Sequence, residues 1–166
     1  MLMPRVTIGL CIVLLSLLLP QVSRAAPDHM HDTSRRLYNR VMEEFKHRDY
    51  EAAIAGFRLF IELHSQSSLA ANAQYWIGEC QFRMRRYNDA VDSFHHVLTH
   101  YPLSPKLPAS TLKLAQAYTK LGDHGKARSM FSRVLDRFPD SSEAEIARKA
   151  IASLEEKQGQ DFAQSE

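Results

Sequence analysis

Residues 87–105 read Tyr87-Asn88-Asp89-Ala90-Val91-Asp92-Ser93-Phe94-His95-His96-Val97-Leu98-Thr99-His100-Tyr101-Pro102-Leu103-Ser104-Pro105, and this stretch decides the fold. Ala90, Phe94, Val97 and Leu98 stand at i, i+4, i+7 and i+8, one face of an α-helix. Alanine is small where a second helix must come close, and phenylalanine fills the gap one turn later. Pro102 and Pro105 then end the helix and prepare the next. The pattern recurs at an interval of 37 residues. Ala53, Ala90 and Ala127 form one column, and Phe57, Phe94 and Phe131 a second. Phe60, Val97 and Val134 follow, then Ile61, Leu98 and Leu135, then Ser67, Ser104 and Ser141. Pro102 and Pro139 keep the same register. A fixed period of this length marks a repeat array.

Each repeat reads as two helices. The second helices are expected at about 50–64, 87–101 and 124–138, and the first helices at about 33–46, 68–84 and 105–121. A last helix, at about 142–157, takes the first-helix place of an unfinished fourth repeat. Ser67, Ser104 and Ser141 are expected as N-caps, with Pro105 in the first helical position. Ser142 and Glu145 have the spacing of a capping box. Gly122 is expected to end one helix and Asp123 to cap the next. No segment alternates in the manner of a strand. The fold class is therefore all-α: an α-solenoid of three helix pairs and a C-terminal capping helix. The repeats span about 33–66, 67–103 and 104–140, with the capping helix at 141–157. Residues 26–32 read as a short linker and 158–166 as a polar, disordered tail.

The N-terminus reads as an address. Arg5 precedes an apolar run from Val6 to Leu19, Pro20 breaks it, and Ser23-Arg24-Ala25 places small residues before a cleavage point. As a helix the run would rise about 21 Å, short of a bilayer core of roughly 30 Å. Residues 1–25 are thus expected to be a cleavable secretory signal peptide, leaving no integral membrane segment. The chain holds 21 Lys and Arg against 19 Asp and Glu. Losing Arg5 and Arg24 brings the 21 bases down to 19, so the mature chain is neutral. Neutrality argues against a partner that is nucleic acid. Of two cysteines, Cys11 falls in the leader. Cys80 has no partner for a disulfide or for a Cys-x-x-Cys pair and is expected as a small buried residue.

Alanine, phenylalanine and valine at these spacings, with proline five residues on, resemble the second helix of a tetratricopeptide repeat, and Gly78 occupies that repeat's small-residue position. More narrowly, Ala73-x-Tyr75-Trp76-Ile77-Gly78-Glu79-Cys80, Tyr87-Asn88-Asp89-Ala90, Tyr101-Pro102-Leu103-Ser104-Pro105-Lys106 and Leu37-Tyr38-Asn39 resemble the C-terminal domain of the Tol–Pal-associated cell-division coordinator, the YbgF/CpoB family. The likeness covers about residues 33–156. It implies a periplasmic protein that binds Tol–Pal components or the cell-wall synthesis machinery during envelope constriction. That family carries an N-terminal coiled-coil stalk that trimerises. No heptads stand between Ala26 and Asp32, so a monomer is expected here. An adaptor for outer-membrane protein insertion or for secretion is the alternative setting, and a histidine-rich metal-binding protein a further one.

In such arrays the first helices line a groove that takes a partner peptide or helix. Carried onto this chain, the groove positions are Tyr38, Met42 and Phe45 in the first repeat. They are Asn72, Tyr75, Glu79 and Arg83 in the second, and Leu112, Gln116 and Lys120 in the third. The aromatics among them also suit helix packing. Glu79, Arg83, Gln116 and Lys120 are expected to gain nothing from packing and so to be the stronger candidates. Trp76 is expected partly buried between helices. Arg83, Arg85 and Arg86 cluster at a helix C-terminus, where they complement the helix dipole or meet an anionic lipid or cell-wall surface. His96 and His100 have the spacing to share a metal ion, but no third ligand completes the set. No nucleophile, zinc-protease or phosphate-loop motif is present. Neither catalysis nor a cofactor or metal is therefore expected.

Overall fold

The computed structural model describes the backbone of residues 26–163 and the side chains of residues 33–156. Residues 1–25, expected as a leader and holding Cys11, lie outside the described residues. Among the described residues seven helices follow one another: α1 (Ala26–Lys46), α2 (Tyr50–Leu63), α3 (Ala70–Arg83), α4 (Tyr87–His100), α5 (Leu107–Leu121), α6 (His124–Arg137) and α7 (Ser142–Ala163). From α2 onward each helix packs on the next, and α5 also touches α7. This is the solenoid that the period predicts. The compact unit that carries the repeats begins at Thr33. Among the described residues no helix is long and apolar enough to cross a membrane.

The repeated columns are the core. Ala53, Ala90 and Ala127 are fully buried, as are Phe57 and Phe94, with Phe131 at 2% exposure. Phe60, Val97 and Val134 lie beneath them, fully buried. Burial of one such side chain contributes roughly 1.5–3 kcal/mol, so three copies of the set hold the array together. Gly78 has a steric reason. A methyl group there would stand 2.7 Å from the Phe94 ring, closer than packing allows. Gly56 has the same relation to Val41, also at 2.7 Å.

The helix ends differ from the expectation in five places. The residues expected as a linker, 26–32, are the first turns of α1. Residues 158–163, expected as disordered tail, continue α7. Ser67 and Ser104 do not cap helices. Their Oγ atoms accept from Leu69 N at 3.2 Å and Lys106 N at 3.0 Å, each closing a turn before the helix starts. The turn delays α5, so Pro108 rather than Pro105 lies in its first positions. The expected capping box is absent too. Ser141 caps α7 by accepting from Ala144 N at 3.2 Å, which leaves Ser142 paired with Glu143. Asp123 does cap α6, accepting from Lys126 N at 3.0 Å, and Gly122 takes the left-handed conformation at φ 80°. Asp49 caps α2 in the same way through Ala52 N.

Candidate functional site

The ten groove positions fall into two groups. Tyr75, Glu79 and Leu112 are buried, and Tyr38, Met42, Phe45 and Asn72 are half-buried against neighbouring helices. The Tyr38 ring lies 5.6 Å from Phe57 and 5.5 Å from Phe60, and burial pushes its hydroxyl up to about 12. Phe45 packs 4.7 Å from Trp76, with the Arg83 guanidinium 5.2 Å above its ring. Tyr75 is 8% exposed, between Trp76 and Phe94. Lys106 Nζ covers it at 5.0 Å. Burial raises the Tyr75 pKa, and the charges of Glu79 and Glu143 raise it further. Leu112 is core, packed with Ala115 and Phe131. Met42 and Asn72 are half-buried, Met42 against the first core cluster.

Glu79 overturns its expectation. It is 4% exposed, and packing determines its place. Lys113 Nζ stands 2.6 Å from Oε1, and Arg83 Nη2 3.8 Å from Oε2. The lysine approaches outside hydrogen-bond geometry, so Oε1 has charge compensation without an aligned donor. Removing one partner of such a pair strands a buried charge, which is why a buried carboxylate keeps its cation.

Gln116 and Lys120 are open. They line a cavity of about 380 Å³ together with Phe82 from α3, Thr119 from α5, Phe131 from α6, and Ala150, Ser153 and Leu154 from α7. Phe82, Thr119 and Ser153 were absent from the expected set, although the period contains them. Phe82 and Thr119 lie 37 and 74 residues after Phe45, and Ser153 lies 37 after Gln116. Extending the columns into the last helix finds them. Lys113 and Lys106 carry no such signal, because only the fold brings them over Phe82 at 5.3 Å and Tyr75 at 5.0 Å. A second cavity of about 330 Å³ lies among Ser67, Ala71, Tyr101, Leu103 and Pro105, with no charged lining residue.

The remaining lures resolve by geometry. Trp76 is half-buried between helices, as expected. Cys80 is fully buried and free, and burial pushes its thiol up to about 12, so it is inert at neutral pH. The three arginines do not form one patch. Arg86 bonds Glu51 at 3.0 Å and Asp89 at 2.7 Å, Arg83 turns toward Glu79, and Arg85 is exposed. His96 and His100 stack face to face, 3.9 Å apart and within 9° of parallel. A metal lies in the plane of each imidazole that binds it, and two stacked planes share no such point. No group of three metal-ligating side chains occurs among the described residues.

Residues 69–140 match the model of the tetratricopeptide repeat. That span takes in the second and third helix pairs, and the described array is a solenoid of tetratricopeptide-like repeats. Among the solved structures that share its fold are three of the type III secretion translocator chaperone SycD from Yersinia enterocolitica. The complex of SycD with a peptide of the translocator YopD superposes with a TM-score of 0.65 at 18% identity, over 76% of this chain and 95% of that one. An alternative SycD dimer gives 0.64 at 19% identity, over 76% and 95%. A third SycD structure gives 0.63 at 19%, over 77% and 87%. No curated protein matches the sequence.

Proposed function

We propose that this protein is an exported, monomeric interaction scaffold that holds a partner's peptide or helix on the face formed by α3, α5 and α7. The observation that carries this reading is the open cavity there, with apolar walls and a polar rim of Gln116, Thr119 and Lys120. A few convergent polar groups around an apolar hollow are what a side-chain-binding pocket needs. The tetratricopeptide-repeat fold supports a role in protein interaction. The setting we favour is the periplasm, with the partner among Tol–Pal components or the cell-wall synthesis machinery during envelope constriction. Support for it comes from the sequence motifs around Tyr75–Cys80 and Tyr101–Lys106 and from the leader-like N-terminus.

A second reading is an adaptor for secretion or outer-membrane protein insertion. It is favoured by the likeness to SycD, whose structure holds a translocator peptide. Pull-down from periplasmic extract separates the two readings. The bait is the full chain beside a Ser153→Trp variant, which fills the cavity from an exposed position on α7. Tol or Pal components captured only by the unmodified chain support the first setting. Secretion or insertion components captured in the same manner move the protein to the second. Equal capture by both baits removes the cavity from the function.

A further inference from the structure

The cavity between α3, α5 and α7 carries a charge asymmetry that its walls do not require. Phe82, Phe131, Ala150 and Leu154 make it apolar, and among the described residues Lys120 is its one charged lining residue. Lys113 stands over the Phe82 ring at 5.3 Å, and Arg83 follows Phe82 with half its side chain exposed. The acid paired with Lys113 and Arg83 is Glu79, whose carboxylate is 5% exposed and shared between them. One buried carboxylate between two cations leaves a positive excess at the surface. Lys120 has no ion pair among the described residues and adds to it. None of the described acids of α7 lines the cavity. Glu143 and Glu145 lie in its first turn, and Glu155 and Glu156 do not line the cavity. Lys120 and Arg83 sit in the last turns of their helices, where a cation complements the dipole. Lys113 is mid-helix and has no such reason to be there.

We propose that the occupant of this cavity is a peptide segment with a large apolar side chain and an aspartate or glutamate within two positions of it. The apolar side chain enters between Phe82 and Leu154, and the carboxylate meets Lys120, with Lys113 behind it. Lysine on a flexible stem suits a single carboxylate at a rim, whereas a phosphate group calls for converging donors that this cavity lacks. The inference rests on the groove reading above and adds the chemistry of what the groove selects.

The test is selection of random dodecapeptides displayed on phage against the full chain and against Ser153→Trp and Lys120→Glu, with helical content measured for all three. The unmodified chain is expected to enrich an apolar residue beside an acid. A synthetic peptide of that consensus should bind about tenfold more weakly to Lys120→Glu, and more weakly at high salt, as a rim charge predicts. Lys120→Glu should itself enrich basic residues in place of acidic ones. A neutral or basic consensus whose binding Ser153→Trp abolishes would overturn the acidic partner and leave the groove. A consensus that binds Ser153→Trp unchanged would sink the groove reading as well. No enrichment at all counts against both. Should Ser153→Trp fail to fold, Gln116→Trp fills the same space from α5.

Discussion

The second and third repeats share their groove columns and use them in opposite ways. In the second, Glu79 and Tyr75 are buried, with Lys106, just before α5, and Lys113 of α5 reaching across to cover Tyr75, Glu79 and Phe82. In the third, Gln116, Thr119 and Lys120 border an open cavity. The difference lies in the next first helix along. The column that holds Lys113 in α5 holds Ala150 in α7, so no long side chain crosses the gap. Glu79, Phe82 and Lys113 become Gln116, Thr119 and Ala150, a closed ion-paired contact exchanged for space. A groove position is thus functional or structural according to its neighbour, not according to its own residue type.

The largest loss is expected from emptying the closed half. Phe94 is fully buried, touching Tyr75 and pressed against Gly78. Phe94→Ala should cost about 3–5 kcal/mol in urea unfolding. Gln116→Ala in the open half should stay within about 0.5 kcal/mol. Comparable losses at both sites would mean that the third repeat is as tightly packed as the second.

Next in size is the ion pair. Glu79→Gln keeps the shape and leaves Lys113 without its counter-charge. A cost of about 1–3 kcal/mol is expected, below the range for a fully buried pair because Lys113 is a quarter exposed. Glu79→Lys should be worse, since it sets three cations together, and is unsuitable as a groove probe for that reason. An unchanged unfolding midpoint in Glu79→Gln would show that the pair is incidental. The converse experiment rebuilds the closed contact one repeat on. Combining Gln116→Glu with Ala150→Lys should give a coupling of about 0.5–1.5 kcal/mol in a double-mutant cycle and abolish peptide capture. A coupling of zero would mean that α5 and α7 do not approach as α3 and α5 do.

The period made the fold legible because every helix repeats one burial problem. Alanine, phenylalanine and valine return at the same faces, and the second helices end within a residue of their expected bounds. The site was legible only in part. Gln116 and Lys120 stand where the columns put them, but the exposure of Glu79 depends on Lys113, which is 34 residues away and so out of the 37-residue register with it. Helix starts failed for a local reason. A serine oxygen serves a turn as well as a cap, and Ser67 and Ser104 close turns while Ser141 caps. The composition of the three sites does not distinguish these outcomes.

A smaller effect is expected at the turn inside each repeat. Arg48, Arg85 and Gly122 occupy one column and all have left-handed backbones, at φ 64°, 61° and 80°. Only glycine adopts that conformation without a Cβ clash. Arg85→Gly should therefore gain up to about 1 kcal/mol, the relieved strain being partly offset by the greater freedom of glycine in the unfolded chain. Gly122→Ala should lose about the same, though nothing else crowds a methyl group there. Equal and opposite shifts in the thermal midpoint would show that the repeats share one turn geometry with different strain. No shift in either variant would mean that the turn relaxes.

The smallest effect concerns acid, and it is confined to the second repeat. His96 lies stacked on His100 with its Nδ1 buried and without a hydrogen-bond partner. Its pKa is lowered, first by burial and then by the neighbouring His100 and His95. The unfolded chain then takes up the His96 proton at a higher pH than the folded chain does. Between the two values the unfolded state binds more protons, so stability falls as the pH drops through the ordinary histidine range, near 6.5. Below the folded value the loss is complete, and above the unfolded value the contribution is fully present. A series of urea midpoints from neutral to mildly acidic pH should show this decline, and His96→Gln should flatten it. A slope that persists in His96→Gln would assign the acid sensitivity elsewhere and leave the stacked pair as simple packing at the end of α4.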